Sequence, residues 1–290
     1  AYLVPLVLLT IYFSLQYGAV AREGRRQHLR TVAEHQANML DLFLDERVIN
    51  LANLIDDPKL PQPLTSAALA SLLDRLKKNS NTFVDVGYFD STGIQKAYAG
   101  PLSYLENQNY SHEGWFLALK GGQEDHIITD VYLGLRQKPH FTIGVRRLIG
   151  GRYAVLRATL DPQKFYEYIC SHQESSEAAV SIISRKGTFQ INRSQTGSLT
   201  ETTALVPPLL PRLGEHVAHL KEGTQIYAYA WLRAAEWAVM VRGTRIETLS
   251  PLSGNFFNLL AFSLALILIV LSIIIFRAKK LVQMQIERET

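Results

Sequence analysis

The chain has 290 residues, a formal net charge of +4, 47% hydrophobic residues and a single cysteine, Cys170. This length and apolar content allow one or two packed domains and argue against a disordered chain. The small, scattered positive charge argues against a nucleic-acid partner, and one cysteine excludes an intramolecular disulfide and any cysteine-spaced zinc site.

The chain begins with an uncharged apolar stretch, residues 2–21, which is long enough to cross a bilayer as transmembrane helix 1. A cleaved signal peptide is the rival interpretation. Against it, the apolar run is longer than a usual signal core, no small-residue cleavage site is evident, and a helical pattern continues directly from it. We therefore predict an uncleaved first span.

Residues 22–56 have apolar side chains at every third or fourth position, including Leu40, Leu44, Leu51 and Ile55. This spacing predicts one long helix, which would end before Pro58 because a proline disfavours helix in the residue that precedes it. We expect a stalk that serves as core helix, as dimerisation helix, or as both on different faces.

Residues 57–172 predict a first, membrane-distal unit. A short helix over 65–79 is followed by a hairpin of strands 83–89 and 94–99, a helix at 115–119, and strands 126–133, 140–148 and 152–160. A five-stranded antiparallel sheet with helices packed on it is the economical arrangement for this order.

Residues 173–254 predict a smaller, membrane-proximal unit of the same kind. Its strands cover 178–184 and 188–192, a helical connector covers 205–213, and a hairpin covers 224–232 and 236–243. The fold class expected for the whole chain is α+β, with a long N-terminal helix and two antiparallel-sheet units in tandem between two transmembrane helices.

A second apolar stretch, residues 255–276, predicts transmembrane helix 2. The basic residues Arg277, Lys279 and Lys280 follow at once, which predicts a cytoplasmic C-terminus and places residues 22–254 on the far side of the membrane. The lack of paired cysteines fits a bacterial cell membrane with a periplasmic domain. The helical spacing of residues 277–290 predicts the start of a cytoplasmic coiled-coil linker.

Four segments are similar to the double Cache sensors of bacterial receptors: residues 114–122 (GWFLALKGG), 128–132 (ITDVY), 139–143 (PHFTI) and 154–161 (AVLRATLD). The resemblance implies two PAS-like units with a small ligand in the distal one. The sequence has no nucleotide-binding glycine loop, metal-ligand spacing or G-x-S-x-G motif, so we expect no catalytic residue, cofactor or metal. Family members serve histidine kinases, chemoreceptors and diguanylate cyclases. The absence of a proline soon after Arg277 favours the first hypothesis, the input part of a homodimeric sensor histidine kinase. The second hypothesis is the input part of a chemoreceptor or a diguanylate cyclase, and the third is a membrane-tethered domain that binds a protein.

The resemblance also implies where a ligand would bind. Amino-acid-binding members use an arginine for the carboxylate and an aspartate for the ammonium, but these positions hold Glu113 and Arg157 here. We therefore expect a carboxylate or another small anion, unless Arg157 only pairs with Glu113 or Asp161. The predicted ligand-binding residues are Trp115, Phe116, Tyr132, Arg157, His140, Thr142, Tyr110, Asp130 and Arg146.

Overall fold

The computed structural model describes residues 3–61, 63–122, 124–171, 179–192, 202–203, 206–220, 223–242 and 254–289. The chain divides into two compact units, one of Ala1–His28 with Thr244–Thr290 and the other of Leu29–Gly243. Residues 243–253, between the second sheet and the last helix, lie outside the described part.

The unit formed by the chain ends contains the start of helix α1, Leu3–Ile55, and the last helix, α5, Gly254–Glu289. Within the described part of the chain, one helical stretch is long and apolar enough to cross a membrane, Ala261–Met284, with a mean hydropathy of 2.6. It overlaps the predicted second span, 255–276. The first span, 2–21, stays a prediction; its backbone is helical from Leu3, but several of its side chains are not described.

The larger unit contains two sheets and the remainder of α1. Its first sheet is made of β1 Phe83–Phe89, β2 Gln95–Ala99, β3 His126–Ile128, β4 Phe141–Ile149 and β5 Arg152–Leu160 in the order β2-β1-β5-β4-β3. Its second sheet is made of β6 Ala179–Ser184, β7 Phe189–Asn192, β8 Leu213–Leu220, β9 Gly223–Trp231 and β10 Trp237–Arg242 in the order β7-β6-β10-β9-β8. All described pairings are antiparallel.

Within the described residues, three short α-helices accompany the sheets: α2 Ser66–Asn79, α3 Gly114–Gly121 and α4 Pro162–Ser171. The Thr65 hydroxyl caps α2 by accepting the Ala68 N–H, as Thr is suited to do. One buried stripe of α1, which includes Leu40, Leu44 and Leu51, joins both sheets in a single hydrophobic core. The predicted α+β fold with a long helix and two tandem antiparallel sheets is confirmed.

Two local predictions were wrong. Residues 206–212 of the predicted helical connector are not helical, because Pro207, Pro208 and Pro211 cannot supply helix N–H groups. Instead Leu213 begins β8, an edge strand paired with β9. The strand predicted over 126–133 ends at Ile128, and a 3-10 turn, Gly134–Arg136, follows.

Candidate functional site

The first sheet presents different chemistry on its two faces. On β1, Val86 and Tyr88 point into the core that contains α1 and α2. Because side chains alternate along a strand, Asp85, Gly87 and Phe89 lie on the opposite face. We call this opposite face the site face.

Strand register fixes which residues share the site face. Arg157 on β5 lies between Gly87 of β1 and Gly144 of β4 in one row. Thr159 lies between Asp85 and Thr142 in the next row. Polar and charged side chains thus occupy the middle strands of a sheet, where a fully apolar face would be expected if packing were its only role.

Helix α3 covers one end of the site face. Trp115, Phe116 and Leu119 are buried and pack on Phe89 and Val155. The helix can approach closely because β4 has a glycine below it: a Cβ built on Gly144 would lie 3.0 Å from Leu119 Cδ1 and 3.9 Å from Trp115 Cε3. The tryptophan and phenylalanine are therefore walls of the site.

Arg157 is the central cation of the site face, and only 2% of it is exposed. Its Cζ atom lies 4.9 Å from the ring centroid of Phe89, 4.8 Å from that of Tyr110 and 5.1 Å from that of Trp115. Among the described residues it forms no ion pair, and it is therefore not paired with Glu113 or Asp161. Three aromatic rings hold this buried guanidinium by cation–π contact, and no described residue provides an acceptor for its Nε.

A second buried arginine enters the site from the 3-10 turn between β3 and β4. Arg136 forms an ion pair with Asp85, which is fully buried, and Asp85 Oδ2 also accepts a hydrogen bond of 3.1 Å from the Tyr98 hydroxyl. Burial, and then the nearby charge of Arg157, lower the pKa of Arg136 to about 10. The group remains protonated at neutral pH, so the site contains two arginine cations and one aspartate anion.

His140 and Tyr132 close the site beside Arg136. Their ring centroids lie 4.4 Å apart, and His140 Nδ1 lies 2.8 Å from the Lys138 carbonyl oxygen. Burial, more than the charges of Arg136 and Arg157, lowers the pKa of His140 to about 4. This histidine is therefore neutral at physiological pH and adds no charge to the site.

The space left between these side chains is a cavity of about 10 Å³. It is lined by Tyr110, Glu113, Tyr132, Gly134, Leu135, Arg136, His140 and Arg157. A space of this size matches about one water molecule, so a larger ligand would require some of the lining side chains to move apart.

Several buried polar atoms of the site face have no hydrogen-bond partner within the described part of the chain. They are Asp85 Oδ1, Gln95 Oε1 and Nε2, Trp115 Nε1, Arg136 Nε, Arg157 Nε and Thr159 Oγ1. Gln95 belongs to this group because its side chain lies over Gly87, where an added Cβ would come within 2.4 Å of Nε2. Since native proteins pair nearly all buried polar atoms, such a concentration on one face indicates a place for water or a ligand.

Seven of the nine predicted site residues lie in or beside this cluster: Trp115, Phe116, Tyr110, Tyr132, His140, Thr142 and Arg157. Two lie apart from it. Asp130 Oδ1 accepts a 2.9 Å hydrogen bond from Trp237 Nε1 of the second sheet, and Arg146 binds the Leu119 carbonyl at the end of α3 and the Asp125 carboxylate, both at 3.0 Å. Both residues have structural partners.

The sequence prediction missed Asp85, Gln95, Arg136 and Thr159. Asp85 carried a usable signal, because an acidic residue in the middle of an apolar strand (FVDVGYF) needs a buried partner. Arg136 carried no such signal, because the sequence places it in a loop that follows the predicted strand 126–133.

No protein-family model and no curated protein matches the chain. Solved structures do. The extracellular domain of the candidate histidine kinase rpHK1S-Z16 is 19% identical with a TM-score of 0.60, over 80% of this chain and 99% of that one. The ligand-binding domain of the Pseudomonas aeruginosa amino acid chemoreceptor PctB, bound to L-glutamine, is 17% identical with a TM-score of 0.58, over 82% and 98%.

A third similar structure is the ligand-binding domain of the Campylobacter jejuni chemoreceptor Tlp3, bound to 4-methylisoleucine. It is 12% identical with a TM-score of 0.59, over 79% of this chain and 95% of that one. At these identities the likeness concerns the fold. The chain therefore has the fold of the extracellular, double Cache-type ligand-binding domains of bacterial histidine kinases and chemoreceptors.

Proposed function

We propose that this chain is the extracytoplasmic sensing part of a bacterial transmembrane receptor, and that the site face of its first sheet binds a small carboxylate. The observation that carries the proposal is the concentration of buried, unpartnered polar atoms around an aromatic-held arginine. The fold shared with extracellular sensor domains supports it.

The charge of the site favours an anion. Arg136 and Arg157 contribute two positive charges and Asp85 one negative charge, while burial keeps His140 neutral. Glu113 also lines the cavity, but it is only partly buried, so water screens part of its charge. A buried cation without a counter-ion is costly, so an incoming carboxylate gains more here than a neutral or cationic ligand.

The proposed topology is a sensor domain outside the cytoplasm and a C-terminus inside it. The apolar stretch Ala261–Met284 supports a membrane anchor, and the basic residues Arg277, Lys279 and Lys280 support a cytoplasmic end. Within this topology, we propose a sensor histidine kinase as the parent protein, with a chemoreceptor or a diguanylate cyclase as the alternative. This chain carries the input function in either case.

A protein partner is the second candidate ligand. An open groove of about 820 Å³ in the larger unit is lined by Leu209, Leu210 and Trp231 among others, and Leu210 is 81% exposed. Exposed leucines beside a groove are typical of protein-binding surfaces. The buried polar cluster gives the small carboxylate the stronger support, because a protein surface could not reach it.

The proposal is tested by thermal unfolding of the full chain in detergent with a panel of small carboxylates, amines and nucleobases. At about 100 times its Kd, a carboxylate would stabilise the folded state by about 2.7 kcal/mol, which corresponds to roughly 5–10 °C for a domain of this size. Arg157→Gln should abolish the response.

Arg152→Gln is the matched control, because Arg152 lies on the same strand as Arg157 but is exposed. It should respond as the wild type does. A carboxylate response that survives in Arg157→Gln would contradict the proposed site, and a response to amines or nucleobases alone would contradict the proposed ligand class.

A further inference from the structure

Resting on the proposed function, we propose that Arg136 is a specificity residue: it occupies the place at Asp85 where a ligand ammonium would bind, so the site selects carboxylates that carry no amino group. Hydroxy acids, oxo acids and unsubstituted acids form the ligand class, and amino acids are excluded. The Arg136 guanidinium, which belongs to the chain itself, thus excludes the ammonium of an amino acid.

The first argument is that Asp85 is the described carboxylate suited to an ammonium and is already neutralised. It is fully buried, whereas Glu113 is only partly buried. Its Oδ2 atom receives both the Arg136 guanidinium and the Tyr98 hydroxyl. An ammonium could reach it only by displacing a cation that is tethered to the same chain.

The second argument is the charge balance after binding. With Arg136 in place, a carboxylate without an amino group supplies a counter-charge to Arg157, which forms no ion pair among the described residues. A zwitterion would leave the net charge of the site unchanged and would bring its ammonium beside two guanidinium groups. Like charges in a buried site repel strongly because little water screens them.

The third argument is the set of unused hydrogen-bonding atoms. Arg157 Nε and Trp115 Nε1 are both buried donors without acceptors, and the Trp115 ring centroid lies 5.1 Å from Arg157 Cζ. Two such donors suit a carboxylate. Thr159 Oγ1 and the Gln95 amide are unpartnered on the same face and can each donate or accept, which suits a hydroxyl or an oxo group.

The turn that delivers Arg136 has a specific backbone shape. Gly134 has a φ of +50°, and a Cβ built on it would lie 2.8 Å from Tyr132 Cε2. Glycine therefore lets the chain turn tightly against Tyr132 and aim Arg136 inward. The arginine reaches the buried aspartate because of this local geometry.

The experiment measures Kd by titration calorimetry on the full chain in detergent, with pairs of probes that differ in one group: lactate and alanine, 2-hydroxyisocaproate and leucine, butyrate and 4-aminobutyrate. The wild type should favour the member without the amino group by at least about 100-fold in one or more pairs. Arg136→Gln should gain binding of the amino member and reduce that ratio to about tenfold or less.

Two further variants separate specificity from folding. Arg136→Lys keeps the cation and should keep the wild-type preference. The double variant Asp85→Asn with Arg136→Gln should lose the gained amino-acid binding, because it removes the acceptor of the ammonium. Equal wild-type binding of both members of a pair, or an unchanged preference in Arg136→Gln, would overturn the inference and leave the carboxylate site standing. Binding of no probe by the wild type or by any variant would overturn the carboxylate site and this inference together.

Discussion

His140 shows at the scale of one residue how the site constrains protonation. The ring is 5% exposed, and its pKa is lowered from 6.5 to about 4 mainly by burial. Burial disfavours the imidazolium, and the unfolded chain binds a proton more readily. The contribution of this histidine to the free energy of unfolding is therefore fully present above about pH 6.5 and is lost as the pH falls towards 4.

This effect predicts a pH-dependent difference between the wild type and His140→Asn, which keeps a donor for the Lys138 carbonyl. Between pH 6.5 and 4 the wild type should lose up to about 3 kcal/mol more stability than the variant, because asparagine does not titrate. Unfolding midpoints at pH 7 and 4.5 measure the difference. His112→Asn, which changes a histidine outside the core, should keep the wild-type pH response; an equal response in His140→Asn would show that His140 is not the titrating group.

The resemblance to double Cache sensors placed Arg157, Trp115 and Phe116 in one predicted site. The structure brings them together because strand alternation and helix α3 put their side chains on the same face of the sheet. Sequence reasoning could not place Arg136, whose position depends on a tight turn after a strand that ends early. Asp130 is the clearest case: on a longer strand it would face the site, but regular strand pairing ends at Ile128 and Asp130 binds Trp237 instead.

At the scale of elements, helix α1 is tied to the second sheet by one buried side chain. Asp41 Oδ1 accepts the backbone N–H groups of Arg233 and Ala234, at 2.8 and 2.9 Å, in the turn between β9 and β10. Asp41 is 8% exposed, so water cannot easily replace it. The turn residues would have unpaired N–H groups without this carboxylate.

Asp41→Ala should therefore lower the free energy of unfolding by about 2–4 kcal/mol, because hydrogen bonds to a charged acceptor are among the stronger ones. Thermal or urea unfolding of the full chain measures the change. Asp45→Ala, one turn further along α1 at an exposed position, should change it by less than about 0.5 kcal/mol. Equal effects of the two substitutions would show that the hydrogen bonds of Asp41 contribute nothing specific.

The same elements mark where sequence patterns are weak. The alternation in 83–89 and 152–160 predicted β1 and β5 at their observed bounds, since both strands lie in the middle of the sheet. β8 was missed because it is an edge strand in which polar and small residues interrupt the apolar pattern (LGEHVAHL). Edge strands bury fewer side chains, so their apolar pattern specifies the strand and its register less strongly.

At the scale of the whole molecule, α1 has apolar side chains that are exposed in the described part of the chain. Leu42 is 69% exposed and Ile49 is 57% exposed. The two residues lie two helical turns apart on the same side of α1, which is the heptad spacing of a helix pair. This spacing supports the homodimer along the stalk helix that the sequence predicts.

Leu42→Glu combined with Ile49→Glu should convert a dimer to a monomer, because two carboxylates from each copy would meet in the helix pair. Light scattering of the full chain in detergent gives the protein mass. Leu148→Glu changes a leucine that is 75% exposed on β4 and should leave the dimer intact. A monomeric wild type, or a dimer that survives the double substitution, would contradict this interface.

The central claim is that the site face of the first sheet holds one small carboxylate on Arg157. Titration calorimetry of the wild type and Arg157→Gln with the carboxylate that stabilises the chain most tests it directly. We expect one carboxylate bound per wild-type chain and no measurable binding to Arg157→Gln at the same concentrations. Equal affinity and stoichiometry in the two proteins would contradict the claim and would place the ligand elsewhere in the molecule.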